Sequence, residues 1–564
     1  MKFSAFPYVR PDMDQIRSQF NQYIEKFENA QSAQEQIEVI HEINKIRNTI
    51  ETTGALVQVR HTNNTEDAFY DAENDFIDEV MPQYTEMVDL YYRVMNQSKF
   101  KAELVEEFGQ HIFNIIDVKL KTFTPDILED LKQENILNSK YTKLRTSAKI
   151  MFEGEERNLA QMVPFYESVN RETRKAAQMA STKFFEENET AFDELYHEMV
   201  QVRHRIAQKL GYENFVEVGY MRLSRTDYDQ HKVATYRKQV LEDLVPLTVK
   251  LRERQMKRLC LEGLKYYDEP IAFTSGNATP KGDSTWILER GKAMYESLSK
   301  ETGAFINFML ENELMDLEAK KGKAGGGYCT YLSDFRSPFI FSNFNGTSGD
   351  IDVLTHEAGH AFQCFQSRDF LLPEYQFPTL EACEIHSMSM EFLTYPWMAS
   401  FFEGDVEKYK YNHVSEALLF IPYGILVDDF QHFVYENPEV TPQVRKDKWR
   451  ELEKKYLPYK TYEDNDFLER GGFWFRQGHI FTDPFYYVDY TLAQVCAFQF
   501  LMKSLENREK AWADYLGLCN KGGSMAFTSL LKVAGLDSPF EEGSIKKMVP
   551  VLQTLLNEID DQAL

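Results

Sequence analysis

"LTHEAGHAFQ", residues 354 to 363, sets two histidines four apart with a glutamate directly after the first. On a helix, residues four apart lie about one turn apart on the same face, where both imidazoles can reach one metal ion. At about 100° per residue, Ile351, Leu354, Ala358, Ala361, Phe362 and Phe365 gather on one side, and His356 and His360 fall roughly opposite, beside Asp352 and Gln363. Such a helix packs its apolar face and offers the histidines to a cleft. The dipeptide His-Glu occurs three times, at 41–42, 197–198 and 356–357, but Lys45 and Gln201 stand where the first two would need a second histidine.

Upstream, residues 319–349 read "AKKGKAGGGYCTYLSDFRSPFIFSNFNGTSG", a glycine loop and then a short β-like run that leads directly into the histidine helix. Residues 337–346 alternate apolar and small residues, which predicts a half-buried strand on a sheet edge. The loop 322–327 lacks both the GK[ST] ending and the Rossmann spacing of a phosphate cradle, so it reads as a mobile flap. The first two hundred residues read as long helices. "MDQIRSQFNQYIEKFENA" and "QEQIEVIHEINKIRNTIETTG" place apolar residues at three- and four-residue steps, with polar caps and glycine at the ends, and 77–97, 102–121 and 189–210 continue the pattern. A loop-like texture, "PIAFTSGNATPKGDST", interrupts the chain at 270–285.

At 564 residues the chain exceeds what one core usually organises, which predicts two or more lobes. A net charge of −26 opposes nucleic-acid binding. No apolar run approaches the roughly 18 residues of a membrane span, and the N-terminus lacks a secretory pattern, so the expected location is the cytoplasm. The six cysteines have no CxxC pair and are expected to be buried reduced thiols.

A catalytic zinc takes three protein ligands and keeps one position open. Downstream, "TLEACEIHSMSMEFL" offers Glu381, Glu384 and Glu391 near one helix face, and spacing does not choose among them. His386 points away from that face and reads as a packed core residue. Glu357, next to His356, is placed as the general base. The run "GHIFTDPFYYVDY" holds His479, Tyr486, Tyr487 and Tyr490, and on a helix Tyr486 and Tyr490 would share one face.

HEAGH followed some two dozen residues later by a glutamate in "EACEIHSMSME" resembles the thimet oligopeptidase and oligoendopeptidase F family of zinc peptidases. Similar segments are "LGYENFVEVGYMRLSRTDYD" (210–229), "GGGYCTY" (325–331), "RQGHIFTDPFYYVDY" (476–490) and "GLDSPF" (535–540), with bacterial oligoendopeptidase F and Pz-peptidases the nearest in character. The resemblance implies one Zn²⁺ per chain held by His356, His360 and Glu384, with Glu391 in support. It also implies that His479 and tyrosines after it, Tyr490 and Tyr486 among them, bind substrate and stabilise the oxyanion. The spacing is one residue shorter than in the thimet branch, so Tyr486 and Tyr487 both remain candidates to face the zinc. The implied fold is mostly α: two helical lobes enclosing a deep substrate channel, with one small β-sheet beside the zinc-binding HExxH helix. Residues 1–199 would form the lobe that roofs the channel, and residues 200–564 the catalytic lobe. The expected function is a zinc endopeptidase acting on oligopeptides, with proline-containing, collagen-derived peptides implied by the Pz-peptidase likeness. The rivals are a zinc carboxypeptidase, for which Arg470 or Arg476 would anchor the terminal carboxylate, and a helical scaffold without metal.

Overall fold

Helices dominate because apolar residues at helical steps and side-chain caps recur along most of the chain, and 71% of residues are helical. The computed structural model describes residues 1–463 and 465–564. Asp12, Ser32 and Asp67 cap the first three long helices, Met13–Asn29, Ala33–Asn63 and Ala68–Asn96, by accepting backbone N–H groups of Gln15, Glu35 and Phe69. Gly54 does not end the second of these as expected. Leu56, Val57 and Val59 beyond it are buried and carry the helix on to Asn63. The stretch at 102–121 is instead split at Gly109, whose φ of 84° is outside the helical region.

Phe20, Ile40, Tyr91, Ile112 and Phe113 form a core of their own, into which Leu372 and Tyr375 reach from much later in the chain. The larger core draws in Phe6, Leu56 and Leu137 as well as Leu354, Ile385 and Leu556. One helix, within Ala399–Glu436, is long and apolar enough by composition to cross a membrane, contrary to the expectation from sequence, and 72% of its apolar window is buried in the interior.

Among the described residues two small sheets are present, where one was expected. The first is a hairpin of β1 (Ile150–Phe152) and β2 (Glu155–Arg157), turned through Glu153 and Gly154, both at positive φ. Strands of three residues are too short to show an alternation. The second has β3 (Met315–Glu318), β4 (Tyr328–Leu332) and β5 (Ser337–Phe344) in the order β3-β5-β4. β5 runs parallel to β3 and antiparallel to β4, with Met315 opposite Ile340 and Tyr331 opposite Pro338. The strand at 337–346 is therefore central, and the edges are β3 and β4. Its alternation of large and small residues does not report solvent on one face, since it is buried along nearly its whole length.

After β5, Gly346 turns at a φ of 86° and Asp350 accepts the N–H groups of Asn345 and Gly346, at 2.8 and 2.7 Å, which starts the histidine helix, Gly349–Ser367. The glycine loop expected to be a flap is tied down. Ala324 N donates to Thr62 O at 2.8 Å, Thr65 N donates to Gly322 O at 2.7 Å, and Asn343 Nδ2 donates to Ala324 O and Gly326 O. All six cysteines are free, but only Cys364, Cys383, Cys496 and Cys519 are buried; Cys329 is half-buried and Cys260, at the end of a helix with φ 53°, is exposed.

Candidate metal centre

The histidine helix crosses the helix Leu380–Leu393 so closely that a Cβ on Gly359 would lie 2.6 Å from His386 O and from Ser387 Cα. That approach brings Glu384 between the two histidines. Its Oε2 is 3.2 Å from His356 Nε2 and 3.5 Å from His360 Nε2, and the three ligand atoms lie within 4.8 Å of one another. Ligands 2.0–2.2 Å from a tetrahedral zinc stand about 3.3 Å apart, so this donor set fits that ion. Burial pushes the Glu384 carboxyl up, but His360 and His356 outweigh it and hold the group well below the usual carboxylate range.

Glu391 Oε1 is 2.7 Å from His356 Nδ1, which fixes the ring and leaves Nε2 for the metal. The other Glu391 oxygen is 2.7 Å from His413 Nε2, and His413 Nδ1 is 2.6 Å from the Tyr395 hydroxyl. Burial works against charge on His413, yet Glu391 and Asp352 raise its imidazole above the ordinary value. Tyr409 donates to Asp352 Oδ1 at 2.7 Å, and burial pushes Asp352 up to about 6. Sequence reading carried Glu391 in support and set Asp352 beside the histidines, but it missed His413, Tyr395 and Tyr409, which link the two. Their one visible signal was Tyr409 and His413, four apart on a single helix face.

Glu357 is 8% exposed, and its Oε2 is buried with no hydrogen-bond partner among the described residues. Burial raises its pKa, and the neighbouring histidines oppose that only in part. The start of β4 faces it, since a Cβ on Gly327 would lie 3.6 Å from Glu357 Oε1. Glu381 takes no part in the cluster: both its carboxyl oxygens are buried without a partner among the described residues. His386 is fully buried, and burial lowers its pKa to about 3, so the ring is neutral. Gln363 does not stand with the histidines as the helical wheel suggested; it is buried and donates to Gln376 O at 3.0 Å.

His479 lies in a short helix, Gly478–Thr482, and Tyr487 and Tyr490 lie in the helix Tyr487–Glu506. The His479 ring is 5.6, 5.1 and 5.7 Å from the rings of Tyr486, Tyr487 and Tyr490. Burial lowers the His479 pKa, which favours the neutral imidazole, and Gln477 Nε2 lies 2.9 Å from its Nδ1. Tyr486 donates to Glu384 Oε1 at 3.1 Å. Tyr487 instead faces a cavity of about 490 Å³ that it shares with His356, Glu391, Phe420 and Tyr490. Tyr486 is thus the member of the pair that touches the metal-binding carboxylate.

Phe485, just before these tyrosines, holds a φ of 67°, a conformation that bulky residues rarely adopt. Arg225 Nη2 donates to Phe485 O at 2.7 Å and also pairs with buried Asp489, and Gly219 leaves room where a Cβ would lie 2.5 Å from the Phe485 ring. Gly219 and Arg225 lie within the 210–229 segment, where sequence reading assigned them no role.

Residues 3–123 match the Peptidase M3 N-terminal domain and residues 301–550 match Peptidase family M3. A solved structure of a putative oligoendopeptidase F is 57% identical over 100% of both chains, with a TM-score of 0.96. PZ peptidase A bound to an inhibitor is also 57% identical over 100% of both chains, with a TM-score of 0.96. An oligoendopeptidase F homologue from Borreliella burgdorferi is 23% identical over 70% of this chain and 66% of its own, so the alignment spans slightly less than two thirds of that relative's length. With full-length likeness at this identity and matches at both ends, the chain belongs to peptidase family M3 and is a metallopeptidase.

Proposed function

We propose that the chain is a zinc-dependent endopeptidase that hydrolyses internal bonds of short oligopeptides, with one zinc held by His356, His360 and Glu384. The observation that carries this is the cluster of those three ligand atoms with the buried, unpartnered Glu357 carboxylate beside it. Zinc bound there lowers the pKa of water to about 7 and polarises a peptide carbonyl. Glu357 takes the proton of the attacking water and later returns it to the leaving amine, and its burial keeps it more basic than a solvated carboxylate. Tyr490 and His479 donate to the oxygen on which charge develops, with Tyr486 beside them holding Glu384.

Strand β4 is an edge, and Gly327, the residue just before it, lies beside Glu357, so an extended peptide added there is bound backbone to backbone with little regard to sequence. Residues 1–199 roof a channel over residues 200–564, which admits short extended chains. Proline-containing, collagen-derived peptides are the substrate class suggested by the likeness to PZ peptidase A, and the cytoplasm is the proposed location. Of the two anchors a carboxypeptidase reading would use, Arg470 is paired with Glu189, which leaves that reading Arg476 alone. The test is mass spectrometry of products from an end-blocked peptide library, with and without chelator. Internal cleavage abolished by chelation is expected; no cleavage of blocked peptides refutes the endopeptidase reading.

A further inference from the structure

The cavity of about 490 Å³ beside the metal centre lies between two helices that face each other across it. Tyr487, Tyr490 and Gln494 line it at steps of three and four along Tyr487–Glu506, and Glu416, Ala417 and Phe420 come from Val406–Glu436. It takes in Asp352 and His356 but neither His360 nor Glu357, so it opens to one side of the zinc ligands. Among the described residues no lysine or arginine lines it, but three carboxylates do. Glu391 is held between His356 and His413, and Asp352 accepts from Tyr409, whereas Glu416 makes no hydrogen bond among the described residues. Its ion pair with Arg252 is long, 3.9 Å, and Arg252 Nη1 donates to Gln255 Oε1 and Glu269 O instead. The Glu416 side chain is 49% exposed, yet burial raises its carboxyl above the ordinary value, which places the charge inside a cleft and not on an open face. Gln494 is 5% exposed, and its Nε2 has no hydrogen-bond partner among the described residues.

Strand β4 and the histidine helix run the same way. A Cβ on Gly327, just before β4, would lie 3.7 Å from Val353 and 3.6 Å from Glu357, and at the other end the Tyr331 hydroxyl is 3.5 Å from Arg368 O. A peptide added antiparallel to β4, the commoner pairing, therefore runs from the Tyr331 end towards Gly327 and Asp352. The residue that follows the cut bond then falls on the Asp352 side of His356, where the cavity lies. Its walls suit one kind of side chain. The Phe420 and Tyr487 rings, 5.7 Å apart and edge-to-face, cover an aliphatic stem together with Met388 and Ala417, and aromatic rings beside an unpaired carboxylate attract a cation.

We propose that this cavity takes the side chain of the substrate residue immediately after the cut bond and selects lysine or arginine there, with Glu416 as the counter-charge and the Gln494 amide as a further hydrogen-bonding group. The proposal rests on the peptidase reading, since the residue is defined by the bond cut at the metal centre. It adds one preference to a backbone-bound peptide that is otherwise held with little regard to sequence. The Gln494 amide oxygen can accept from a guanidinium, whose five donors form a fixed fork, so arginine gains more from Gln494 than lysine does.

The test uses end-blocked peptides identical except at the residue after the cut, which is lysine, arginine, norleucine or glutamate, with mass spectrometry to place the cut. The proteins are the zinc-loaded parent, Glu416→Gln, Glu416→Lys and Gln494→Leu. Each is read as a ratio of kcat/KM between two peptides, which cancels any general loss of activity. In the parent, lysine should exceed norleucine, which lacks only the charged amine, by about tenfold, the worth of one charged contact. Glu416→Gln should bring that ratio to about one, and Glu416→Lys should turn the preference to glutamate. Gln494→Leu should lower the ratio of arginine to norleucine about threefold, the net worth of one hydrogen bond. Calorimetry with the C-terminal products, which begin with the selected residue and are not cut, reads the cavity without turnover: tighter binding of the lysine product than of the norleucine product, lost in Glu416→Gln, supports the proposal. Lysine no better than norleucine in the parent, or a preference untouched in Glu416→Gln, would overturn it while leaving the peptidase reading intact. A cut that shifts to put lysine before the bond would overturn it too, because the peptide would then run the other way. Failure to cut any peptide would refute the peptidase reading, and product affinity would still decide the cavity.

Discussion

Replacing Gly359 with alanine places a methyl carbon 2.6 Å from His386 O and from Ser387 Cα, where an ordinary contact is 3.4 Å or more. Both obstacles are backbone, so they do not rotate aside, and the two helices must part by about 0.8 Å. His386 and Ser387 follow Glu384 by two and three residues on the same helix, so Glu384 moves with them, away from His356 and His360. Metal–ligand distances tolerate about 0.2 Å, four times less than that displacement. Zinc affinity should therefore fall about 100-fold or more, and overpacking should cost about 1–3 kcal/mol in stability. Competition against a chromophoric chelator measures the affinity, and thermal unfolding confirms that the variant is folded. Gly517→Ala is the control, because that glycine also lies in a helix but a Cβ there meets nothing within 4 Å. If Gly359→Ala binds zinc within about threefold of the parent, the close helix crossing does not set the position of Glu384.

Glu357→Gln should keep stoichiometric zinc and lose at least about 10² in turnover, measured on a quenched peptide; a loss under about tenfold would remove it from the base role. Tyr490→Phe should lower kcat by roughly 10²–10³ with KM nearly unchanged, and a change in KM alone would make Tyr490 a substrate-positioning residue. His413→Ala frees the second oxygen of Glu391 and should weaken zinc binding about 10- to 100-fold in the same competition assay, whereas unchanged affinity would show that Glu391 orients His356 unaided. Arg47 and Glu374 form a buried pair; burial pushes the Glu374 carboxyl up, but Arg47 outweighs it and leaves its pKa below the ordinary value. The stabilisation is present above the unfolded carboxylate value of about 4.3 and is lost as pH falls through the lower folded value. Urea unfolding should thus show Glu374→Gln about 3 kcal/mol less stable at pH 7, with the gap to the parent narrowing below about pH 4; a gap that widened in acid would refute the pairing.

The motif, the helical class and the cluster of His479 with its tyrosines were legible because each leaves a local trace, a fixed spacing or a 3.6-residue period. What escaped depends on neighbours distant in sequence. Whether 337–344 is an edge or a centre is decided by β3 and β4, and buried strands with both faces covered carry no alternation that tells them apart. Gln363 occupies a polar position on the helical wheel, yet its partner Gln376 O lies on a separate segment. His413 looked like any histidine until Glu391 came to lie beside it, and Arg225 gains its role only because Phe485 is folded against it 260 residues later. Among Glu381, Glu384 and Glu391, all on one helix, the crossing angle of a second helix sets which carboxylate meets the histidines, and that angle is a tertiary property.

The tie between Thr62 and the glycine loop bears on how the protein could be taken apart. The helix Ala33–Asn63 gives the Thr62 carbonyl to the loop beside Glu357, its Thr62 hydroxyl lies 2.7 Å from Tyr328 OH, and Thr52 accepts from Asp334 N. In return, residues 370–376 give Leu372 and Tyr375 to the core of the early helices. Residues far apart in the chain are thus interleaved in space, and neither portion is a portable module. A catalytic fragment beginning near residue 200 would expose Leu372 and Tyr375 and release β4 and its loop, and a fragment of the early helices would keep a core with two of its members missing. Shuffling this sequence with a relative would have to exchange both sides of that seam together.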